Sequence, residues 1–155
     1  MKYLIRLMGD ADAQAIARWH YDEPYTFYDA DQDPEDLAEL LSAKARGDSY
    51  WAATDEQGDL RGFFSFKVVG TTVEIGLGMR PDLTGQGKGL GFTQCGLRFA
   101  MERYQPTVII LYVAAFNQRA IRLYEKVGFA RVERLMRETN GGQFEFVKMV
   151  MAVEA

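Results

Sequence analysis

The sequence predicts an α/β (α+β) single domain built on one central mixed sheet. Three observations point to this. The hydrophobic period switches repeatedly between the helical and the strand value, in the order β-α-α-β-β-β-α-β-α-β-β. The chain has 155 residues, one ordinary domain's length, so residues 1–155 are expected to fold as one unit. The composition, 48% hydrophobic and 26% charged, can fill a packed core and excludes a disordered or fibrous chain.

Residues 2–8 alternate enough to be a strand, and Asp10 can cap a helix running to His20. Residues 21–33, rich in Asp, Tyr and Pro, read as an ordered loop. Asp33-Pro34-Glu35-Asp36 is a helix start, with a capping carboxylate, Pro in the first turn and acids near the positive end. That helix carries Leu37, Leu40 and Leu41 on one face and is expected to stop near Gly47. Residues 49–55, 60–68 and 72–80 read as three antiparallel strands joined by short turns at Gly58 and Gly70. A glycine-rich corner over residues 81–91 leads into a helix over 92–104. Residues 107–114 form an apolar strand, and 117–127 a helix closed by Gly128. Residues 129–138 and 143–152 form a hairpin around Asn140-Gly141-Gly142.

Composition narrows the function classes. One cysteine, Cys95, excludes an internal disulfide and a cysteine-based zinc site, and fits a reducing, cytoplasmic setting. One histidine, His20, leaves only carboxylate-rich metal sites, and no such cluster stands out, so no metal is expected. Cys95 reads as a small buried hydrophobe and His20 as a loop or core residue. No apolar run nears the roughly 20 residues that cross a bilayer, and the charge within the short apolar start argues against a signal peptide. The net charge of −4 hides an asymmetry: residues 1–60 hold 14 acids and 5 Lys or Arg, residues 61–155 hold 8 and 13. Two surfaces of opposite sign, and two ligands of opposite sign, are one reading; a solvated acidic helix face is the other. The basic half lacks a nucleic-acid motif, so no nucleic acid is expected.

The glycine corner carries the first chemical signal. Between Gly85 and Gly91, glycines stand at alternate positions, leaving main-chain N–H groups bare at the start of a helix, with Lys88 beside them. Bare amides, the helix dipole and a cation together make a phosphate site. A P-loop is excluded, because Asp82 and Gly89 occupy its required Gly and Ser/Thr positions. A dinucleotide fingerprint is excluded as well: its last glycine falls on Leu90 or Phe92.

Two blocks then fit together. Gln86-Gly87-Lys88-Gly89-Leu90-Gly91 matches Q/R-x-x-G-x-G/A, and residues 117–129, Asn-Gln-Arg-Ala-Ile-Arg-Leu-Tyr-Glu-Lys-Val-Gly-Phe, match N-x-x-A-x-x-L-Y-E-K-x-G-F. At this separation and on these elements the chain resembles the GCN5-related N-acetyltransferases, strongly over residues 73–132 and in element order throughout. The resemblance implies a mostly antiparallel sheet whose fourth and fifth strands run parallel and splay around acetyl-CoA. It implies that backbone groups of Leu77, Gly78 and Met79 hold the pantetheine arm, an N–H there polarising the thioester carbonyl. Gly76 and Gly78 would form a bulge that opens the strand pair. Gln86, Gly87, Lys88, Gly89, Leu90 and Gly91 would hold the pyrophosphate, and Asn117 would contact the arm from the other side. Arg119 and Arg122 either meet CoA phosphate or are ordinary exposed helix arginines.

The implied chemistry is direct attack of a neutral primary amine on the thioester. Tyr124, two helical turns after Asn117, matches the family's proton donor to the leaving thiolate and also touches the cofactor. Some family members place a Glu before Asn117, where this chain has Leu111-Tyr112-Val113. Glu74 is then the expected base, acting directly or through water, with Asp22, Glu23 or a water chain as alternatives. The acceptor wall is expected from Trp19, Tyr21, Asp22, Glu23, Tyr25 and Tyr28. Aromatic faces and carboxylates there suit a cationic small-molecule or peptide amine, or form a lid packed on the core. The alternatives are a longer acyl donor, a non-catalytic CoA-binding module, or an acetyltransferase of protein N-termini or lysines. The protein is expected to be a monomer or homodimer.

Overall fold

The computed structural model describes residues 2–153. Seven strands form one sheet in the order β1-β2-β3-β4-β5-β7-β6. They are β1 (Leu4–Leu7), β2 (Tyr50–Thr54), β3 (Leu60–Val69), β4 (Thr72–Met79), β5 (Val108–Ala114), β6 (Ala130–Thr139) and β7 (Gly142–Ala152). Neighbours run antiparallel except β4 and β5. The helices are α1 (Asp10–Ala17), α2 (Pro34–Leu41), α3 (Ala43–Arg46), α4 (Gly89–Tyr104) and α5 (Gln118–Val127). Among the described residues no helix is long and apolar enough to cross a membrane.

Local chemistry sets the helix ends, and here the structure corrects the boundaries read from sequence. The first helix stops at Ala17, where Trp19 N–H turns back to Ile16 C=O at 3.0 Å. The helix capped by Asp33 does not run unbroken to Gly47. Ser42 is extended (φ −102°, ψ 115°) and its Oγ accepts from Ala45 N–H at 3.1 Å, starting a second short helix; Ser caps better than it continues. Asp33 Oδ1 accepts from the Glu35 and Asp36 amides, while Oδ2 accepts from Thr139 Oγ1 (3.0 Å) and Asn140 N–H (3.1 Å). One carboxylate thus starts α2 and ties it to the β6–β7 turn. The helix after the glycine corner begins at Gly89 rather than at 92, so corner residues form its first turn.

Strand alternation sorts side chains to two faces. One face packs against α4 and α5 in the main core, where Phe64, Val73, Ile75, Phe92 and Ile121 are buried and the Phe64 and Phe92 rings stack 4.5 Å apart. On the other face Met8, Ala13, Ile16 and Leu40 form a second cluster, with Phe63 and Trp19 against it.

The feature that positions the site is the failure of one strand pair. β4 and β5 pair only at Thr72–Val108, Val73–Ile109 and Glu74–Ile110. Beyond Glu74 they part. β5 stays paired with β7 from Val108 to Ala114, and β4 with β3 from Thr72 to Met79. The β3–β4 register is continuous, so Gly76 and Gly78 form no bulge with β3. The sheet's register shifts lie at Ala53/Thr54 and Arg131/Glu133 instead. The two glycines serve close packing: a Cβ at Gly76 would lie 2.4 Å from Ser65 Oγ, and one at Gly78 2.5 Å from Phe63 Cε1. Side chains of β3 lie across β4 where these Cβ atoms are missing.

Candidate active site

The parted strands leave main-chain groups unpaired. Arg80 N–H donates to Arg61 C=O at 2.9 Å. Antiparallel pairs alternate between hydrogen-bonded and open. With the register Phe63–Gly78 and Gly62–Met79, Gly78 therefore turns its amide and carbonyl to β3, while Leu77 and Met79 turn theirs to the gap where β5 has left. The Met79 C=O accepts from the Tyr21 hydroxyl at 2.7 Å. The remaining groups of Leu77 and Met79 border a cavity of 850 Å³, running from the gap past the glycine corner to α5.

The glycine corner forms one rim. Gly85 (φ +73°) and Gly87 (φ +75°) have left-handed backbones that L side chains rarely adopt, and a Cβ at Gly87 would meet nothing within 4 Å. Gly85, Gly87, Gly89 and Leu90 line the cavity, with the first turn of α4 behind them. Gln86, Lys88 and Gly91 lie in the same corner outside that lining, and Gln86 Nε2 donates to Asp82 C=O at 2.7 Å. Across the mouth, Arg119, Arg122 and Lys126 line the cavity from α5, and none of the three pairs with a carboxylate among the described residues. Bare amides at a helix start facing free cations suit a polyanion such as a diphosphate.

Two phenols look into the middle of the cavity. Tyr124 comes from α5; burial, and then the Tyr28 phenol, hold its pKa well above the ordinary tyrosine value. It is therefore a neutral O–H donor through the physiological range. Tyr28 is raised by burial too, an effect partly offset by the bond that Asn117 Nδ2 donates to its hydroxyl at 3.1 Å. Asn117 is buried, caps α5 by accepting the Ala120 amide at 3.1 Å, and lines the cavity. Asn117 and Tyr124 thus stand on one side of the gap, and Leu77 and Met79 on the other.

The loop before α2 supplies the outer wall. Tyr21, Tyr25 and Tyr28 line the cavity, as do Phe63 from β3 and Tyr112 from β5. Asp29 fixes the loop: Oδ1 accepts the Tyr21 amide at 2.8 Å, and Oδ2 lies 3.0 Å from His20 Nδ1. That contact raises the His20 pKa. Trp19 packs on Phe63 with ring centroids 6.3 Å apart, behind the wall rather than in it. Asp22 and Glu23 are exposed and do not line the cavity. Glu74 does not line it either. Half-buried opposite Lys67, it sits at the last paired position before the strands part, on the same sheet face as Gly76 and Gly78. Gly76, the nearer of the two, is about 7 Å further along the strand.

Sequence reasoning did not single out Phe63 or Thr93. Phe63 reads as one strand residue among several, and only its placement over Gly78 gives it a role. Thr93, on α4, is fully buried, its Oγ1 lacks a hydrogen-bond partner among the described residues, and it lines the cavity.

The match to the acetyltransferase (GNAT) domain family spans residues 2–130, and the chain belongs to that family. The mycothiol acetyltransferase of Salinispora arenicola is 37% identical over 101 residues, covering 57% of this chain and 33% of that protein. The mycothiol acetyltransferase of Acidothermus cellulolyticus is 49% identical over 53 residues, covering 34% of this chain and 16% of that protein. The chain therefore spans a third or less of the length of these two curated relatives. Among solved structures, the spermidine N-acetyltransferase from Vibrio cholerae in complex with CoA and spermine superposes with a TM-score of 0.77 at 20% identity, over 97% of this chain and 95% of that one. A GNAT-family acetyltransferase from Bacillus anthracis gives a TM-score of 0.75 at 19% identity, over 98% and 95% of the two chains. These structural likenesses establish the shared fold.

Proposed function

We propose that the protein transfers an acetyl group from acetyl-CoA to a primary amine by direct attack on the thioester. The observation that carries this is the parting of β4 from β5 after Glu74, which opens the 850 Å³ cavity between the glycine corner and Tyr124. On this reading the diphosphate sits on the corner amides, facing Arg119, Arg122 and Lys126. The pantetheine arm runs along the free main-chain groups of Leu77 and Met79, and the thioester carbonyl takes the Met79 N–H. The amine nitrogen attacks the carbonyl carbon, the C–S bond breaks, and Tyr124 gives its proton to the departing sulfur. The proton lost by the amine leaves toward Glu74 through water, because Glu74 stands outside the cavity wall. The acceptor enters along Tyr21, Tyr25, Tyr28, Phe63 and Tyr112, an aromatic surface that suits an amine head.

The test is release of free thiol from acetyl-CoA against a panel of amines, run beside calorimetric titration with CoA. CoA binding with amine-dependent thiol release is the expected result. CoA binding without release for any amine turns the assignment to a non-catalytic CoA module, for which Tyr112, where some family members carry a Glu, is the supporting feature. Absence of CoA binding overturns the reading.

A further inference from the structure

Arg119 stands where the two halves of the cavity meet. It is the second residue of α5. Its guanidinium carbon lies 4.2 Å from the ring centroid of Tyr25, in the loop that forms the acceptor wall. Its Nη1 lies 3.8 Å from the place a Cβ on Gly85 would occupy, at the glycine corner. Arg119, Tyr25 and Gly85 all line the cavity. One side chain therefore touches the acceptor loop and the diphosphate corner together.

The geometry of the guanidinium makes this more than proximity. A guanidinium stacks through its flat face and hydrogen-bonds through its edge, so the two contacts do not compete. Here the guanidinium carbon lies over the Tyr25 ring and Nη1 lies on the Gly85 side, and no carboxylate among the described residues pairs with it. Tyr25 is in turn packed on Phe116 (6.2 Å between centroids), and Phe116 on Tyr28 (6.0 Å). The Tyr28 hydroxyl accepts from Asn117. A fixed Arg119 thus holds one end of an aromatic chain that ends beside the proposed reacting centre.

We propose that Arg119 couples the donor and acceptor sites. Resting on the assignment of CoA to the glycine corner, the inference is that the diphosphate takes the N–H edge of Arg119. The guanidinium, once fixed, pins Tyr25, so the loop over residues 21–29, already folded into the cavity wall, is held there more firmly when the donor is bound. Coupling of this kind is reciprocal: CoA orders the loop, and an ordered loop tightens CoA. Couplings between sites commonly amount to about 5–150-fold; one aromatic stack belongs at the low end, about 5–10-fold.

The experiment is backbone amide exchange over residues 21–29, with and without saturating CoA, in the wild type, Arg119→Gln and Tyr25→Leu. CoA affinity is measured for all three and for the double variant. In the wild type, CoA is expected to slow exchange of this segment by about 5–10-fold. In Arg119→Gln, CoA binds more weakly, and at saturation leaves the segment's exchange as it is in the free protein. Tyr25→Leu also weakens CoA, and the double variant is no weaker than Arg119→Gln alone. Additive losses in the double variant, or CoA-dependent slowing that survives in Arg119→Gln, overturn the coupling while leaving the CoA site standing. A wild type that binds CoA without any change in the segment does the same. A wild type that fails to bind CoA removes the underlying assignment, and the coupling with it.

Discussion

Gly78→Ala tests how the site is built. A Cβ at this position would lie 2.5 Å from Phe63 Cε1 and 2.9 Å from Cζ, where ordinary contact begins near 3.4 Å. The ring must therefore retreat by about 1 Å, a displacement in the range where a misplaced group costs on the order of 10²-fold in rate. It cannot retreat freely, because Trp19 packs behind it and β2 pairs with its strand. Overpacking of this size costs about 1–3 kcal/mol. For a domain of this length that corresponds to a fall in Tm of about 3–10 °C. Phe63 also lines the cavity on the acceptor side, so its shift should raise the amine KM while CoA affinity changes little, since the Gly78 amide and carbonyl already face β3. Thermal unfolding, CoA calorimetry and steady-state kinetics read the three quantities. The cycle is completed by Phe63→Leu, a smaller side chain that makes room for the new methyl. Gly78→Ala/Phe63→Leu should be more stable than the sum of the two single losses predicts. A Gly78→Ala protein with wild-type Tm and wild-type amine KM would show that the ring moves aside at no cost, and the account of these glycines would fail.

Tyr124→Phe should lower turnover by about 10²–10⁴ and leave CoA affinity unchanged. Because burial holds this phenol above its ordinary value of 10.0, no alkaline limb of the wild-type pH–rate profile below that pH should belong to it; unaltered turnover removes Tyr124 from the donor role. His20 is the sole histidine, so its ring protons are unambiguous by NMR. Its bond to Asp29 raises the folded pKa above 6.5, so the stabilisation it lends the loop is complete below 6.5 and is lost as pH rises through the folded value. Asp29→Asn should lower that pKa, and a wild-type value at or below 6.5 would mean that the contact does not form in solution.

The sequence was most legible where local chemistry decides the outcome. The Asp33 cap, the Asn117–Gly128 helix and the turn around Asn140-Gly141-Gly142 all follow from short-range rules, and the structure contains each. The glycine corner was legible as an open main-chain surface because alternate glycines before a helix leave amides bare. What could not be read lies in contacts between distant elements. Gly76 and Gly78 suggest a bulge, since a glycine in a strand often marks one; the actual cause is side chains of β3, eleven and fifteen residues away in the register pairs Ser65–Gly76 and Phe63–Gly78, lying over them. Acidic residues at 22 and 23 looked like part of the acceptor wall by proximity in sequence to Tyr21 and Tyr25. In the folded loop the tyrosines turn inward and the acids outward, because the Tyr21 amide and hydroxyl are held by Asp29 and the Met79 carbonyl.

The placement of charge bears on how the amine becomes reactive. The acidic half of the chain spends several carboxylates on structure. Asp12 and Asp55 pair with Arg6 and Arg61, Asp29 and Asp33 anchor loop and turn, and Asp10 pairs with buried Arg46. An excess of acid in the sequence is therefore a poor measure of acceptor charge. The wall that an amine would meet, Tyr21, Tyr25, Tyr28, Phe63 and Tyr112, is aromatic and carries no carboxylate. Such a surface greets a cation through its ring faces but strips its water, and loss of water favours the neutral amine, the form with a lone pair to attack. Desolvation then does part of what a base at position 112 would do. On that argument Tyr112, where some family members carry a Glu, is compatible with the proposed catalysis, in which Glu74, at the point where β4 leaves β5, would serve only as a more distant proton acceptor.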